Sequence, residues 1–348
     1  MGVEGRVGLL DFEVYVPEEF MSSRELAALT GIPEEVVRDK LGIHRKPIGG
    51  REDHAVAMAT RAARRLLDRT GIPPDALDLI IYPGEEYKEY ICWTGSIKIQ
   101  KELGATRCWA FDLSYRCAAT PLALKVAKDL MAADDDLNTV LIAGGNTNAY
   151  LVDYRDPDSS FMFDMGPSGH AALLRRGYGA NLILGSGIHT EPIFADAVVP
   201  PVGGSLYPPT PENIERQPWK LVVADARRMK EELAARSVPA FLRAVDLALA
   251  KSGLGRPDID YLAILHVKRS AHHLILQELG LSPEQSVYLE EYGHVGHTDQ
   301  YLSLKLGLEQ GKVRPGDHVV FLGAGTGYAF TATVIRWGGG QGAMGGIV

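Results

Sequence analysis

Cys117 stands where a predicted strand passes into a predicted helix. The segment from Trp109 to Leu113 has the composition of a strand, and from Ala119 onward apolar residues recur at helical spacing. Unpaired backbone N–H groups and the positive end of the helix dipole meet at such a junction, and both favour a thiolate. The same N–H groups can hold an oxyanion during acyl transfer. The pattern therefore predicts a nucleophilic cysteine, and a small buried apolar side chain is the alternative role for Cys117.

Two of the ten histidines lie at the ends of predicted elements. His266 follows the apolar run 261–265, at the C-terminal edge of a predicted parallel strand, where α/β proteins commonly build their sites. His294 lies between a Tyr-Gly turn and an amphipathic helix. A cysteine and a histidine are the usual nucleophile and base of thioester chemistry, so both are candidate partners of Cys117. A hydrogen-bonded structural histidine is the alternative for each.

A glycine-rich turn near the C-terminus is a third candidate element. The segment GAGTG places Gly323 and Gly325 ahead of a β-rich run. A phosphate-binding loop needs a helix after its glycines, and the run from Thr331 to Ile335 predicts a strand instead. Because glycine lacks a β-carbon, the backbone can approach its neighbours closely here. The turn is therefore predicted to contact a substrate or the helix that follows Cys117.

Strand-length apolar runs alternate with segments of helical period, which predicts parallel sheets covered by helical layers. A long helix, a Gly-x-Pro turn with two nearby aspartates and a buried strand occur at 64–84 and again at 246–266. We therefore predict two similar α/β halves, residues 1–180 with the cysteine and 181–348 with the histidines. Two segments fall outside this pattern, a proline- and glycine-rich surface insertion and a flexible end, at 196–219 and 338–348.

Composition excludes several classes of function. A net charge of -8 without a long basic run argues against nucleic-acid binding. No apolar stretch reaches the roughly 18 residues that span a bilayer, and the N-terminus lacks a signal-peptide pattern. Cys92, Cys108 and Cys117 form neither a disulfide framework nor a C-x-x-C metal pair. We therefore predict a reduced cytoplasmic protein with no metal ion, no membrane segment and no nucleic-acid partner.

The order and spacing of these segments resemble the thiolase superfamily, from about residue 5 to residue 337. The resemblance is to the group that holds the chain-initiating 3-oxoacyl-ACP synthases (ketoacyl synthase III) and the HMG-CoA synthases. It rests on GIHRKPI (42–48), FDLSYRCAATPLAL (111–124), LIAGGNTNAY (141–150), FMFDMG (161–166), ILH (264–266), YGHVG (292–296) and GAGTG (323–327). It implies the thiolase fold, in which two pseudo-duplicated halves form an αβαβα arrangement of layers.

The resemblance also implies roles for single residues. Cys117 corresponds to the cysteine that carries the acyl thioester, and His266 to the family's catalytic histidine. The third family residue is an asparagine in a Gly-Asn turn, and here His294 follows Gly293 in its place. Both side chains can donate a hydrogen bond to a thioester carbonyl, so His294 is the candidate for that role. The exchange leaves both decarboxylative condensation and simple acyl transfer open.

Other similarities are to the HMG-CoA synthase branch. The helix after Cys117 and the segment 300–304 look like those of that branch, and Glu86 falls where the branch places its acid–base glutamate. A solvated loop carboxylate is the alternative for Glu86, since the loop is rich in acids. Arg116, beside the nucleophile, is a candidate to bind a carboxylate on the acyl group, with an ordinary salt bridge as its alternative.

These assignments predict a ping-pong condensation. An acyl-CoA loads Cys117, and a malonyl- or acetyl-type thioester on CoA or acyl carrier protein then attacks the acyl group. The CoA thioesters are substrates, so no cofactor is predicted, and the resemblance implies a homodimer. Two rivals remain: an acyltransferase that esterifies a small alcohol or amine, and a non-catalytic scaffold subunit.

Overall fold

The computed structural model describes residues 6–216 and 219–338. Its strands are β1 (Val7–Tyr15), β2 (Phe20–Ser22), β3 (Arg45–Pro47), β4 (Leu79–Gly84), β5 (Trp109–Ser114), β6 (Thr139–Asn146), β7 (Ser168–Arg176), β8 (Leu182–Thr190), β9 (Val198–Val199), β10 (Val222–Val223), β11 (Tyr261–Ile264), β12 (His318–Gly325) and β13 (Ala329–Arg336). Its α-helices are α1 (Ser23–Thr30), α2 (Glu34–Val36), α3 (Ala55–Thr70), α4 (Gly95–Leu103), α5 (Ala119–Ala133), α6 (Pro211–Arg216), α7 (Ala226–Ser252), α8 (Arg269–Leu279) and α9 (Asp299–Glu309).

Nine strands form one sheet in the order β11-β12-β13-β8-β1-β7-β6-β4-β5. In the first half β4 is parallel to β6, while β6–β7 and β7–β1 are antiparallel. In the second half β11 is parallel to β12, while β12–β13 and β13–β8 are antiparallel. The halves therefore repeat one pattern of neighbours, and they join where Gly8 of β1 pairs with Leu182 of β8. The division near residue 180 stays a prediction, and that position lies between β7 and β8.

The sequence repeat corresponds to a repeated helix–turn–strand unit. α3 ends at Gly71 and α7 ends at Gly253, and both glycines have the positive φ that closes a helix (67° and 72°). A short 3₁₀ turn follows each glycine, and β4 or β11 begins directly after it. Both strands are fully buried, so each unit delivers a strand end to the interior of the molecule.

Helices cover the two halves and fill the space between them. α3 packs on β1, β6 and β7, and α7 packs on β8 and β13. α5 contacts strands of both halves, including β4 and β13, and α9 contacts β1 and β11. The molecule therefore has outer helical layers with α5 and α9 between the two half-sheets, which matches the predicted layering. α5 carries the segment that follows Cys117.

The predicted insertion forms a largely peripheral segment. It begins with β9, which pairs with β10, and it contains α6. Leu206 within it is 81% exposed, as expected for a surface insertion. Of the predicted flexible end, residues 339–348 lie outside the described residues. In the described ranges, no helix is both long and apolar enough to cross a membrane.

Candidate active site

Cys117 lies at the junction that the sequence predicts. β5 ends at Ser114, a 3₁₀ turn runs from Arg116 to Ala118, and α5 begins at Ala119. Arg116 has a φ of 52°, in the left-handed region, and such a conformation costs about 1–3 kcal/mol. The turn places a buried thiol at the N-terminus of α5, where the first backbone N–H groups of a helix have no partner within the helix. The junction thus has the geometry of a nucleophile turn.

His294 contacts the Cys117 side chain. It follows Gly293, whose φ is 63° and where an added β-carbon would lie 2.4 Å from the Asp164 carbonyl oxygen. Nδ1 of His294 lies 2.6 Å from Oδ2 of Asp299, the first residue of α9. Since Nδ1 is engaged, Nε2 is the ring nitrogen that can interact with the thiol.

His266 lies just past the end of β11 and lines the same cavity as Cys117. Its Nδ1 lies 2.7 Å from Oδ2 of Asp164, and its Nε2 lies 3.3 Å from the carbonyl oxygen of Gly42. Its backbone N–H donates to Asp299 at 2.7 Å. Each histidine therefore has a carboxylate at Nδ1, and Asp299 connects the two histidine segments.

The structure places Glu85, and not the predicted Glu86, beside the cysteine. Oε1 of Glu85 lies 3.9 Å from Sγ of Cys117, and this side chain is 1% exposed. The Glu86 side chain is 63% exposed and interacts with Ser114 and Arg116. Side chains of successive residues leave an extended backbone in opposite directions, so a shift of one position exchanges an interior carboxylate for a surface one.

The three predicted substrate-binding residues lie close to other groups of the protein, and their role toward a substrate stays a prediction. Arg116 forms salt bridges with Glu85 and Glu86, at 3.2 Å and 3.1 Å. A β-carbon on Gly323 would lie 3.1 Å from the Cys117 carbonyl oxygen, and one on Gly325 would lie 2.8 Å from Cβ of Arg116. The two glycines therefore let β12 pack against the nucleophile turn, which is the second of the two predicted contacts. Arg116 balances the charge of carboxylates near the thiol.

A cavity of about 280 Å³ opens onto these groups. Cys117, His266 and His294 lie in its wall, and the rest of the wall is mostly apolar, with Phe161 and Phe241 among the larger side chains. Lys268 is a cation in the same wall. The cavity can therefore hold an apolar chain whose reactive end reaches the thiol.

Burial and charge shift the pKa values of this site. Burial raises the pKa of the Cys117 thiol, and contact with His294 opposes that shift. Burial alone would lower the pKa of His294, yet the Asp299 carboxylate and the Cys117 contact raise it well above its ordinary value. Burial also raises the pKa of Glu85, against the effect of Arg116. The site thus combines an imidazole whose protonated form is favoured with a carboxyl group whose neutral form is favoured by burial.

Four residues near the site were not predicted from the sequence: Glu85, Asp164, Asp299 and Lys46. Lys46 is 1% exposed, and its Nζ donates to the Met165 carbonyl oxygen at 2.8 Å and to the Tyr154 hydroxyl at 2.5 Å. The spacing of His294 and Asp299, with Asp299 at a predicted helix start, was an available signal. Asp164 gave no comparable signal, since its partner His266 is 102 residues away in the chain.

In residues 6–216 and 219–338, no group of three or more His, Cys, Asp or Glu side chains is arranged to hold a metal ion. The candidate site contains a thiol, two imidazoles and carboxylates. These are the groups of nucleophilic and acid–base chemistry at a thioester.

Sequence comparison supports the relationship that the segments suggested. Residues 111–192 match the family described as 3-oxoacyl-[acyl-carrier-protein (ACP)] synthase III, and residues 249–337 match the C-terminal domain of the same family. The beta-ketoacyl-[acyl-carrier-protein] synthase III of Symbiobacterium thermophilum is 27% identical over 333 residues, which cover 95% of this chain and 98% of that protein.

Solved structures support the fold. The 3-oxoacyl-[acyl-carrier-protein] synthase III of Aquifex aeolicus superposes with a TM-score of 0.80 at 19% identity, over 95% of this chain and 100% of that one. OleA of Xanthomonas campestris, solved with lauric acid and lauroyl-CoA, has a TM-score of 0.79 at 17% identity, over 95% and 99% of the chains. The chain therefore has the thiolase fold and belongs to the 3-oxoacyl-ACP synthase III group of the thiolase superfamily.

Proposed function

We propose that the protein is an acyl-thioester condensing enzyme of the 3-oxoacyl-ACP synthase III type, with Cys117 as the acyl carrier. The observation that carries this proposal is the contact of a buried thiol, at the start of α5, with His294 and with Glu85. A thiol at a helix N-terminus beside a cationic imidazole is a suitable nucleophile for a thioester. The predominantly apolar cavity in front of it fits an acyl chain.

The first half-reaction transfers the acyl group to the enzyme. The Cys117 sulfur attacks the carbonyl carbon of an acyl-CoA, and backbone N–H groups at the start of α5 stabilise the oxyanion. The carbon–sulfur bond to CoA then breaks. CoA leaves as the free thiol with the proton that the cysteine gave up, and acyl-Cys117 remains.

The second half-reaction forms the carbon–carbon bond. Loss of CO₂ from a malonyl-type thioester leaves an enolate, whose oxygen is stabilised by His266 and His294. The enolate carbon attacks acyl-Cys117, the bond to sulfur breaks, and the thiolate is regenerated as a 3-oxoacyl product leaves. Two N–H donors at that oxygen stabilise the charge that develops in the transition state.

A second candidate reaction is condensation without decarboxylation, as in HMG-CoA synthases. Glu85 favours it, because a buried carboxylate 3.9 Å from the sulfur can remove an α-proton from an acetyl-type thioester. Its raised pKa brings the carboxyl group closer to the working range of a general base. In this reaction Glu85 takes the role that the sequence had assigned to Glu86.

Transfer of the acyl group to a small alcohol or amine is a third candidate. The observation that favours it is His294 in place of the family asparagine. Release of CO₂ from a malonyl thioester separates condensation from this transfer.

We further propose that the enzyme acts in the cytoplasm as a homodimer, with acyl-CoA and acyl carrier protein as substrate carriers. β5 is the terminal strand of the sheet, and its Trp109 is 49% exposed. An apolar edge strand is suited to pairing with another strand. A second copy of β5 is the partner that would extend the sheet symmetrically.

Intact-protein mass spectrometry after exposure to a panel of acyl-CoAs tests the central proposal. Wild type is expected to gain the mass of the acyl group, and Cys117→Ala is expected to gain none. Addition of a malonyl thioester is then expected to discharge the adduct with release of CO₂. Absence of an adduct with every thioester would refute the acyl-cysteine mechanism and favour a scaffold role.

A further inference from the structure

Asp299 is a fully buried carboxylate whose two oxygens both face N–H donors. Oδ1 accepts from the Val295 backbone N–H at 2.8 Å, and Oδ2 accepts from the His266 backbone N–H at 2.7 Å. Oδ2 also lies 2.6 Å from Nδ1 of His294. Because backbone N–H groups only donate, this carboxylate acts as an acceptor. Nδ1 of His294 therefore carries a hydrogen.

The charges around the site determine which cation balances Asp299. An ionised carboxylate is costly to bury unless a cation accompanies it. Lys46 and His266 are close to Asp164, and Arg116 bridges two glutamates on the cysteine side. Among the described residues that contact Asp299, His294 is the side chain that can supply a positive charge. A ring protonated at both nitrogens then presents Nε2–H toward Cys117.

We propose that Asp299 is a positioning residue that holds His294 as an imidazolium, with Nε2–H directed at the Cys117 sulfur and at the thioester oxygen of the incoming substrate. The inference rests on the proposed function and explains how it operates with a histidine where the family has an asparagine. A charge-assisted N–H donor forms a stronger hydrogen bond than a neutral amide. Asp299 thus maintains the donor that the asparagine would supply.

Other ionisable groups also affect the pKa values of Cys117 and His294. Glu85 contacts the Cys117 sulfur, and Arg116 and Tyr328 are close enough to interact with its charge. Asp164 and His297 lie near His294. Asp164 is a suitable control, because it is a second buried carboxylate at 2.7 Å from a histidine Nδ1, that of His266.

The test is the pH dependence of Cys117 alkylation in the full chain. Iodoacetamide reacts with the thiolate, and peptide mass spectrometry separates Cys117 from Cys92 and Cys108. D299N is expected to raise the midpoint of the rate profile by about one pH unit or more, because the thiolate loses a cation in contact with it. The loss of the more distant Asp299 charge offsets part of this rise. D164N is expected to shift the midpoint clearly less, while its condensation rate falls.

Removal of the histidine separates positioning from a purely structural effect. H294N is expected to raise the midpoint at least as far as D299N does, and adding D299N to H294N is expected to raise it no further. An unchanged midpoint in D299N, an equal shift in D164N, or a further rise in the double variant would each overturn the proposal. If D299N does not fold, the H294N variant is used for the test. An unchanged alkylation midpoint in H294N would also overturn the proposal. Failure of the proposed function would give a different result. Iodoacetamide would still alkylate Cys117, but no acyl-CoA would acylate it.

Discussion

Oε1 of Glu85 and Sγ of Cys117 lie 3.9 Å apart in the interior of the protein, although 31 residues separate them in the chain. The carboxylate directly follows the last residue of β4, and the thiol follows the end of the neighbouring parallel strand β5. Parallel strands bring their C-terminal ends to one edge of a sheet, so two segments that are distant in the chain place a carboxylate and a thiol at the same point. This contact supports chemistry at the α-carbon of a bound thioester as well as at its carbonyl.

Substitution of the two neighbouring glutamates is expected to separate their roles. Glu85→Gln keeps the size of the side chain and removes the base, so non-decarboxylative condensation should fall by at least about 10²-fold. The matched variant Glu86→Gln changes an exposed side chain and should stay within about twofold of wild type. The rate of carbon–carbon bond formation from two acetyl-type thioesters is the measurement. Equal effects of the two variants would contradict the assignment to Glu85.

Replacement of the glycine before His294 is expected to damage both stability and the site. Gly293→Ala places a β-carbon 2.4 Å from the Asp164 carbonyl oxygen at a positive φ. Gly311→Ala is the control, since its φ is 67° and an added β-carbon there meets nothing within 4 Å. We expect Gly311→Ala to lower the free energy of unfolding by about 1–2 kcal/mol with activity retained. Gly293→Ala should lose more stability and at least tenfold in rate, and equal losses would argue against the close packing at Gly293.

Stability is expected to fall on mild acidification because of a buried histidine. Burial lowers the pKa of His272 to about 4, whereas the unfolded chain binds the proton near pH 6.5. The unfolded state therefore takes up more protons below pH 6.5, and this contribution to stability is lost as the pH falls toward 4. Between pH 6.5 and 5 the loss from His272 is about 2 kcal/mol.

Urea denaturation at several pH values checks this prediction. His272→Leu should reduce the fall in the free energy of unfolding between pH 6.5 and 5 by about 2 kcal/mol. The adjacent His273 is exposed, so His273→Leu should leave the pH dependence of wild type in place. The same slope in all three proteins would show that His272 is not the responsible group.

The proposed dimer predicts a specific effect at the sheet edge. Trp109→Glu introduces a charge into the edge strand β5 and should shift the protein from dimer to monomer in sedimentation velocity at micromolar concentration. Leu206→Glu, at a position that is 81% exposed on the insertion, should leave the dimer intact. A wild-type protein that sediments as a monomer at all concentrations would refute the dimer itself.

Much of the fold could be predicted because hydrophobic periodicity is a local property. The predicted strand from Trp109 to Leu113 is extended by one residue in β5, and the predicted helix begins at Ala119 in α5. The repeated helix–turn–strand units also appear in both halves. The joining of the half-sheets through β1 and β8 could not be predicted, because strand pairing between distant segments leaves no local pattern.

The part of the candidate site that depends on local backbone structure could be predicted from the sequence. Cys117 could be assigned because a strand, a short turn and a helix with Pro121 in its first turn follow one another directly in sequence. The sequence indicated Glu86, whereas Glu85 is the glutamate beside Cys117, since the side that a residue faces at a strand end depends on the local backbone. Asp164 could not be predicted from spacing, because its contact with His266 forms only when the halves pack together. Asp299 lies five residues after His294, so that contact did leave a local signal.

The proposed catalytic groups come from both halves of the duplicated architecture. Cys117 and Glu85 follow strands of the first half, and His266 and His294 belong to the second, with α5 and α9 packed between the half-sheets. Neither half alone holds a complete set. If the chain were cut in the turn between β7 and β8, each fragment would be inert, and turnover would appear only on reassembly. The recovered enzyme activity would then measure how completely the two fragments assemble.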